Sequence, residues 1–150
     1  MNTFDSKCEE LFGQLGKGRK MVLSTSLNDR ITSRTMCVVI IDKCFYFQTD
    51  RNFRKYEQLL KNPNGALCFE NIQIEGICME AGSPLSDLEF SNIYRKIFRN
   101  SYENYSFLEE ERLFLMKPLY IQKWVYENGE PFIEKYCFEK NIYRKEKYVY

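Results

Sequence analysis

Four polar side chains between residues 34 and 55 have the types and the spacing of a phosphate-binding site. Arg34 opens a long β-branched run, Thr49 closes the next apolar run, and Arg54 and Lys55 follow within six residues. A turn places Arg54 and Lys55 near a predicted helix start, where free N–H groups and the helix dipole attract anions. A guanidinium, an ammonium and a hydroxyl at that point suit a terminal phosphate. Composition alone favours the simpler interpretation that these cations are solvated surface charges.

Other stretches that suggest chemistry have simpler explanations. Residues 109–111 are three consecutive Glu, and a run of like charge is typical of a solvated face, so we predict no metal site there. The absence of His removes Cys/His zinc sites and Cys–His nucleophile pairs. Basic and aromatic residues mix in the tail 141–150, as in single-stranded nucleic-acid sites. Because Glu146 interrupts the tail and it is terminal, an edge strand or a loose tail is favoured, and no nucleic-acid partner is expected.

The bulk composition is that of one ordinary globular domain over residues 1–150. The chain has 150 residues, 44% hydrophobic residues and a formal net charge of +1, which argues against a surface built for nucleic acid. Its six Cys form no C-x-x-C pair, and three of them lie within apolar runs. They are interpreted as small hydrophobic residues in a reducing compartment. Neither a signal peptide nor a membrane span is evident, so a cytoplasmic location is expected.

The elements that must position the four residues are mostly strands. Phe4, Cys8, Leu11 and Leu15 have the spacing of a first helix, and Ser86 with Glu89 predicts a capping box that starts a later one. Between and after them we predict strands over residues 21–25, 31–41, 44–47, 66–69, 72–79, 113–116, 119–126 and 132–138, a short helix over 53–61 and an irregular segment over 99–106. Short links imply an antiparallel meander, and no β-α-β alternation indicates a Rossmann sheet. The fold class is mainly β (α+β), an antiparallel barrel with flanking helices.

The order of these motifs resembles the pyridoxamine 5′-phosphate oxidase-like superfamily of FMN-binding split barrels. In particular it resembles the small proteins related to general stress protein 26. The resemblance is clearest over residues 20–82 and rests on MVLSTS at 21–26, SRTM at 33–36, YFQTD at 46–50, RKYEQL at 54–59, NP at 62–63 and ALCF at 66–69. It implies an antiparallel split β-barrel that forms a homodimer, with two flavins at the interface.

The resemblance also implies roles for individual residues. Arg34, Arg54 and Lys55 match the basic residues that hold the FMN phosphate, and Thr49 matches a hydroxyl residue that bonds it. The backbone of residues 34–37 would run beside the isoalloxazine ring, and Gln73 would reach the flavin from a neighbouring strand. The predicted cofactor-binding residues are Arg34, Thr35, Met36, Cys37, Gln48, Thr49, Arg54, Lys55 and Gln73.

Departures from the family pattern limit the activity that the resemblance implies. Phe53 stands where the oxidases often have Ser, so one phosphate donor is missing. The Arg-x-His-Asp type of segment that grips the oxidases' substrate is also missing, so vitamin B6 oxidation is not supported. The expected function is FMN binding, with a flavin-dependent oxidoreductase activity on an unidentified small molecule. The alternatives are a non-enzymatic flavin-binding or flavin-storing stress protein, and a split barrel that binds haem or deazaflavin. The lack of His weakens the haem alternative, because His is the commonest axial ligand.

Overall fold

A computed structural model describes residues 2–150 and contains eight strands and four α-helices. The strand runs are rich in β-branched and aromatic residues, whereas the helices carry apolar residues three and four apart. The helices are α1 (Thr3–Leu15), α2 (Arg54–Lys61), α3 (Leu88–Ile97) and α4 (Arg99–Tyr105), with a 3-10 turn at Pro84–Ser86. The strands are β1 (Gly18–Leu27), β2 (Arg30–Ile41), β3 (Cys44–Asp50), β4 (Asn64–Phe69), β5 (Ile72–Glu80), β6 (Glu111–Glu127), β7 (Glu130–Cys137) and β8 (Ile142–Lys147).

Six of the strands close into an antiparallel barrel, which confirms the predicted fold class. Their order is β3-β2-β1-β4-β5-β6, and pairing of β3 with β6 closes the ring. Strands β7 and β8 continue the sheet beyond β6, so the tail is an edge strand, one of the two predicted alternatives. Within residues 2–150, no helix is long and apolar enough to cross a lipid bilayer.

Strand β6 is continuous over 17 residues, where the sequence predicts two separate strands. Pro118 interrupts the pattern because it has no N–H to donate. It lies opposite Gly76, where the register with β5 shifts. A Cβ on Gly76 would stand 2.4 Å from the Lys117 carbonyl oxygen, so the close approach of the two strands requires glycine. The bulge thus lets one strand pair with β3, β5 and β7 along its length.

The barrel interior forms the main core, and a smaller core lies under the later helices. Buried residues of α1, including Cys8 and Leu11, pack into the main core. The smaller core joins Val39 of β2 and Leu113 of β6 to Phe90 of α3. The two cores lie on opposite faces of β2, β3 and β6, one inside the barrel and one under α3.

Two predictions on the helical segments are wrong. Asp87 caps α3 by accepting a hydrogen bond from the Phe90 N–H at 3.0 Å, whereas Ser86 belongs to the 3-10 turn. The predicted irregular segment contains α4, whose Tyr102 packs at the edge of the smaller core. Its polar sequence does not show a helix because tertiary packing, rather than propensity, stabilises it.

Candidate functional site

The site lies where β2 and β3 separate. The two strands pair at three positions next to their turn, Val39 with Tyr46, Ile40 with Phe45 and Ile41 with Cys44. Beyond that point residues 30–38 of β2 pair with β1 alone, and residues 47–50 of β3 pair with β6. Residues 34–38 therefore have a strand edge free of strand partners on the side toward β3. Such an edge offers backbone N–H and C=O groups to a ligand.

Arg34 lies near this edge, on β2, and its guanidinium is held by neutral groups. Nη1 donates to the Thr25 hydroxyl at 2.8 Å and to the Leu23 carbonyl at 3.3 Å, and Nη2 donates to the Thr32 hydroxyl. Gln58 of α2 accepts hydrogen bonds from both hydroxyls, at 2.6 and 3.0 Å. Burial, and then the nearby charge of Arg54, lower the pKa of Arg34. The guanidinium is thus fixed in place without a carboxylate.

Arg54 and Lys55 lie at the start of α2, as predicted. The residue before them, Phe53, gives the helix no side-chain cap, and the Lys55 Nζ lies 4.7 Å from the centre of its ring. Burial, and then the charge of Arg34, lower the pKa of Lys55, while Glu111 and Asp50 oppose the shift. Among residues 2–150, no carboxylate comes within ion-pair distance of Arg34, Arg54 or Lys55. We call these three residues the cationic cluster.

A cavity of about 250 Å³ adjoins the cationic cluster. Thr49 in its wall is buried, and its hydroxyl makes one long hydrogen bond, 3.5 Å, to the Asp50 carbonyl. A bond of that length is weak, so the hydroxyl remains able to donate elsewhere. Four of the nine lining residues are apolar or aromatic. The lining residues are Gln48, Thr49, Asp50, Phe53, Lys55, Tyr94, Tyr105, Leu108 and Glu111.

Glu111 is the residue of this cavity that the sequence misassigned. The run of three Glu predicts a solvated face, yet the Glu111 side chain is only 6% exposed. It accepts a hydrogen bond from the Gln48 amide at 2.8 Å. Burial raises the pKa of Glu111 to about 7, against the effect of the Gln48 hydrogen bond. Closure of the barrel pairs Glu111 with Asp50 on β3 and so places it in the cavity wall. The local charge pattern of the sequence gives no sign of this long-range pairing.

Three further predicted residues, Thr35, Met36 and Cys37, lie on β2 at the unpaired edge, but their side chains point to different surroundings. The Cys37 side chain faces α4, with its Sγ 3.9 Å from the Ser101 hydroxyl, and the Met36 side chain is buried in the main core. For these two residues, only the backbone is available to a ligand at the edge. Thr35 is exposed on the outer face of the sheet.

Gln73 is the one predicted residue that the chain keeps apart from the others. A cross-strand row runs from Thr35 to Val22, then to Cys68 and then to Gln73. Three strand spacings of about 4.8 Å separate its ends by about 14 Å. All four side chains are exposed, so the row lies on the open outer face. Within one chain Gln73 thus lies three strands from Thr35, and among residues 2–150 its side chain makes no hydrogen bond to the cationic cluster.

Comparison with solved structures confirms the resemblance to the pyridoxamine 5′-phosphate oxidase-like split barrels. General stress protein 26 from Bacillus anthracis str. Sterne is 25% identical, with a TM-score of 0.58 over 76% of this chain and 91% of that chain. A Clostridium acetobutylicum protein related to general stress protein 26 is 15% identical, with a TM-score of 0.63 over 93% and 97%. A pyridoxamine 5′-phosphate oxidase-related, FMN-binding protein from Nostoc punctiforme PCC 73102 is 15% identical, with a TM-score of 0.60 over 88% and 87%. No family model and no curated protein sequence matches the chain.

Proposed function

We propose that this chain binds FMN at the β2–β3 split and holds its phosphate with Arg34, Thr49, Arg54 and Lys55. The observation that carries the proposal is the cationic cluster. Like charges brought together without a carboxylate partner repel one another, and an anion between them would remove that cost. A phosphate dianion also accepts the several hydrogen bonds that the guanidinium, ammonium and hydroxyl groups donate.

Two further features fit a flavin rather than a free phosphate. The unpaired edge of residues 34–38 offers backbone donors and acceptors to the polar side of a planar ring. The adjoining cavity presents aromatic and apolar side chains, including Phe53 and Tyr105, to an apolar ring system. The FMN-binding protein from Nostoc punctiforme with the same fold supports this choice of ligand.

We further propose that the protein works as a homodimer. Gln73 lies about three strand spacings from Thr35, so it reaches a flavin at the split only from a second copy. The open face that carries Gln73 is the surface through which two copies would meet. Light scattering is expected to give the mass of a dimer, and a monomer that retains its flavin would contradict this arrangement.

The proposed activity is flavin-dependent oxidation or reduction of a small molecule. A bound flavin would supply the electron transfer, and the protein would supply binding, orientation and electrostatics. A flavin-storing role requires the same cluster and remains the second candidate; turnover with a nicotinamide donor separates the two. A cytoplasmic location accords with all six Cys being free thiols.

The test of the binding site compares FMN with riboflavin, which lacks the phosphate. FMN is expected to bind at least tenfold more tightly, because charge-assisted hydrogen bonds contribute about 1.5–3 kcal/mol each. The dissociation constants are measured by quenching of flavin fluorescence in the same buffer. Equal affinities for the two flavins would contradict a phosphate pocket.

A further inference from the structure

Glu111 is an acid in a place where acids are rarely found. Among residues 2–150 it is the only charged side chain that is buried, and it lines the cavity beside the cationic cluster. Burial of an ionised carboxylate is costly unless the charge is paired. No Lys or Arg of residues 2–150 lies within ion-pair distance of it, so the charge is not paired directly.

A chain of hydrogen bonds fixes the orientation of the carboxyl group. The Ser106 hydroxyl donates to Gln48 Oε1 at 2.9 Å, and the Gln48 amide nitrogen donates to Glu111 Oε2 at 2.8 Å. The Ser106, Gln48 and Glu111 side chains are all buried. Oε1 of Glu111 receives no hydrogen bond from residues 2–150. It is therefore the oxygen that can carry a proton and donate it in a hydrogen bond to a ligand.

Charged and titratable groups face Glu111 from β3, α2, α3 and α4, the last through Tyr105 in the cavity wall. Asp50 on β3 disfavours its ionised form, and Lys55 on α2 favours it, while burial raises the pKa of Glu111 to about 7. Tyr94 on α3 is a phenol whose pKa is raised, first by burial, so it stays neutral. The carboxyl group therefore titrates in the neutral range, well above an exposed Glu.

We propose that Glu111 is a ligand-binding residue that keeps its proton while an anionic ligand occupies the cationic cluster, so that ligand uptake is coupled to proton uptake. An ionised Glu111 would repel the anion and compete with it for Lys55. A protonated Glu111 removes that repulsion and donates a hydrogen bond into the cavity. The ligand group it would recognise is an acceptor such as a carbonyl oxygen or an unprotonated ring nitrogen. This inference rests on the proposed function.

The experiment measures FMN affinity at pH 6, 7 and 8 for the wild type, Glu111→Gln and Glu110→Gln. The Gln side chain at position 111 imitates the protonated acid and still accepts from Gln48. We expect wild type and Glu111→Gln to bind alike at pH 6 and to differ about tenfold at pH 8, with Glu111→Gln tighter. Glu110→Gln is the matched control, because Glu110 pairs with Arg51 at the surface and should follow the wild type. Titration of the FMN phosphate affects all three proteins equally, so its effect cancels in the ratio of their affinities at each pH.

A second measurement counts protons directly and needs no variant. Calorimetric titration of the wild type with FMN, in two buffers of different ionisation enthalpy, gives the protons exchanged on binding. An infrared difference spectrum at pH 8 is expected to show a protonated carboxyl band that appears with FMN. The absence of that band, or one pH profile shared by wild type and Glu111→Gln, would overturn the role of Glu111 while leaving the FMN site intact. Failure of FMN to bind at any pH would overturn both proposals.

Discussion

Two groups of cations in this molecule have opposite surroundings. In the cationic cluster at the β2–β3 split, Arg34, Arg54 and Lys55 have no carboxylate within ion-pair distance among residues 2–150. On the β7–β8 extension three lysines form ion pairs with Glu residues on neighbouring strands. Lys135 lies 2.9 Å from Glu146, Lys147 lies 3.1 Å from Glu130, and Lys145 contacts Glu127.

The lack of ion pairs in the cluster does not arise from a scarcity of acidic residues near the split. Arg51 and Arg112 lie close to the cluster in sequence or on the neighbouring strand, and each has a partner, Glu110 at 3.0 Å and Glu80 at 2.7 Å respectively. Arg51 and Arg112 are thus neutralised near the site, whereas the three cations of the cluster lie close to one another without an ion pair. Partial burial of Arg34 and Lys55, next to another cation and without an ion pair, distinguishes the candidate site from the exposed surface.

Removal of a positive charge from the cluster should affect FMN binding strongly. Lys55→Ala and Arg54→Ala should each weaken FMN binding about 10- to 150-fold, because each removes a charge-assisted interaction of about 1.5–3 kcal/mol. Riboflavin affinity should hardly change. The measurement is flavin fluorescence quenching at constant pH and salt.

Lys145→Ala on the extension is the matched control for those two variants. It removes the same kind of side chain from a paired position far along the sheet. We expect it to leave FMN affinity unchanged. If Lys145→Ala weakens FMN as much as Lys55→Ala does, binding follows net charge and the cluster has no special role.

The substitution Gln58→Glu would give the cluster a carboxylate partner. Gln58→Glu keeps the oxygen that accepts from Thr25 and Thr32 but adds a negative charge beside Arg34. It should weaken FMN about tenfold, since the carboxylate competes with phosphate for the guanidinium.

Leu60→Glu is the control for the added charge. It places the same charge on α2, at a side chain that is 55% exposed. Solvent screens that charge, so FMN affinity should change little. Equal weakening by Gln58→Glu and Leu60→Glu would mean that Arg34 is not a specific partner of the phosphate.

The sequence predicts the cluster better than it predicts the cavity, for a physical reason. Short-range sequence patterns predict the helix start at Arg54 and the strands that carry Arg34 and Thr49. Glu111 enters the cavity because β6 pairs with β3, some 60 residues earlier in the chain, as in the pairing of Glu111 with Asp50. Three consecutive Glu contain no trace of that long-range closure, so their charge pattern predicts solvation.

The same limit explains the helical corrections. The capping box at Ser86 is a valid local pattern, but the 3-10 turn at Pro84–Ser86 uses that residue, and Asp87 becomes the cap. The segment of α4 is polar and has weak helix propensity. It is stabilised by packing of Tyr102 against the smaller core, which includes Val39 and Phe90 from earlier in the chain.

The smallest expected effect concerns the stability of the protein without ligand. Burial and Arg34 lower the pKa of Lys55, so the folded state disfavours its charged form relative to the unfolded state. The penalty is present at neutral pH, where Lys55 is charged in both states, and it fades as the pH rises through the lowered pKa of the folded state. Lys55→Met should therefore raise the free energy of unfolding by up to about 0.5 kcal/mol.

Lys145→Met should lower it by a similar or smaller amount, because it breaks an exposed ion pair with Glu127. Urea unfolding at pH 7 without flavin measures both variants against the wild type. The sign is decisive: a cationic cluster that exists for an anion is strained without one, so a loss of stability in Lys55→Met would show that Lys55 supports the fold instead.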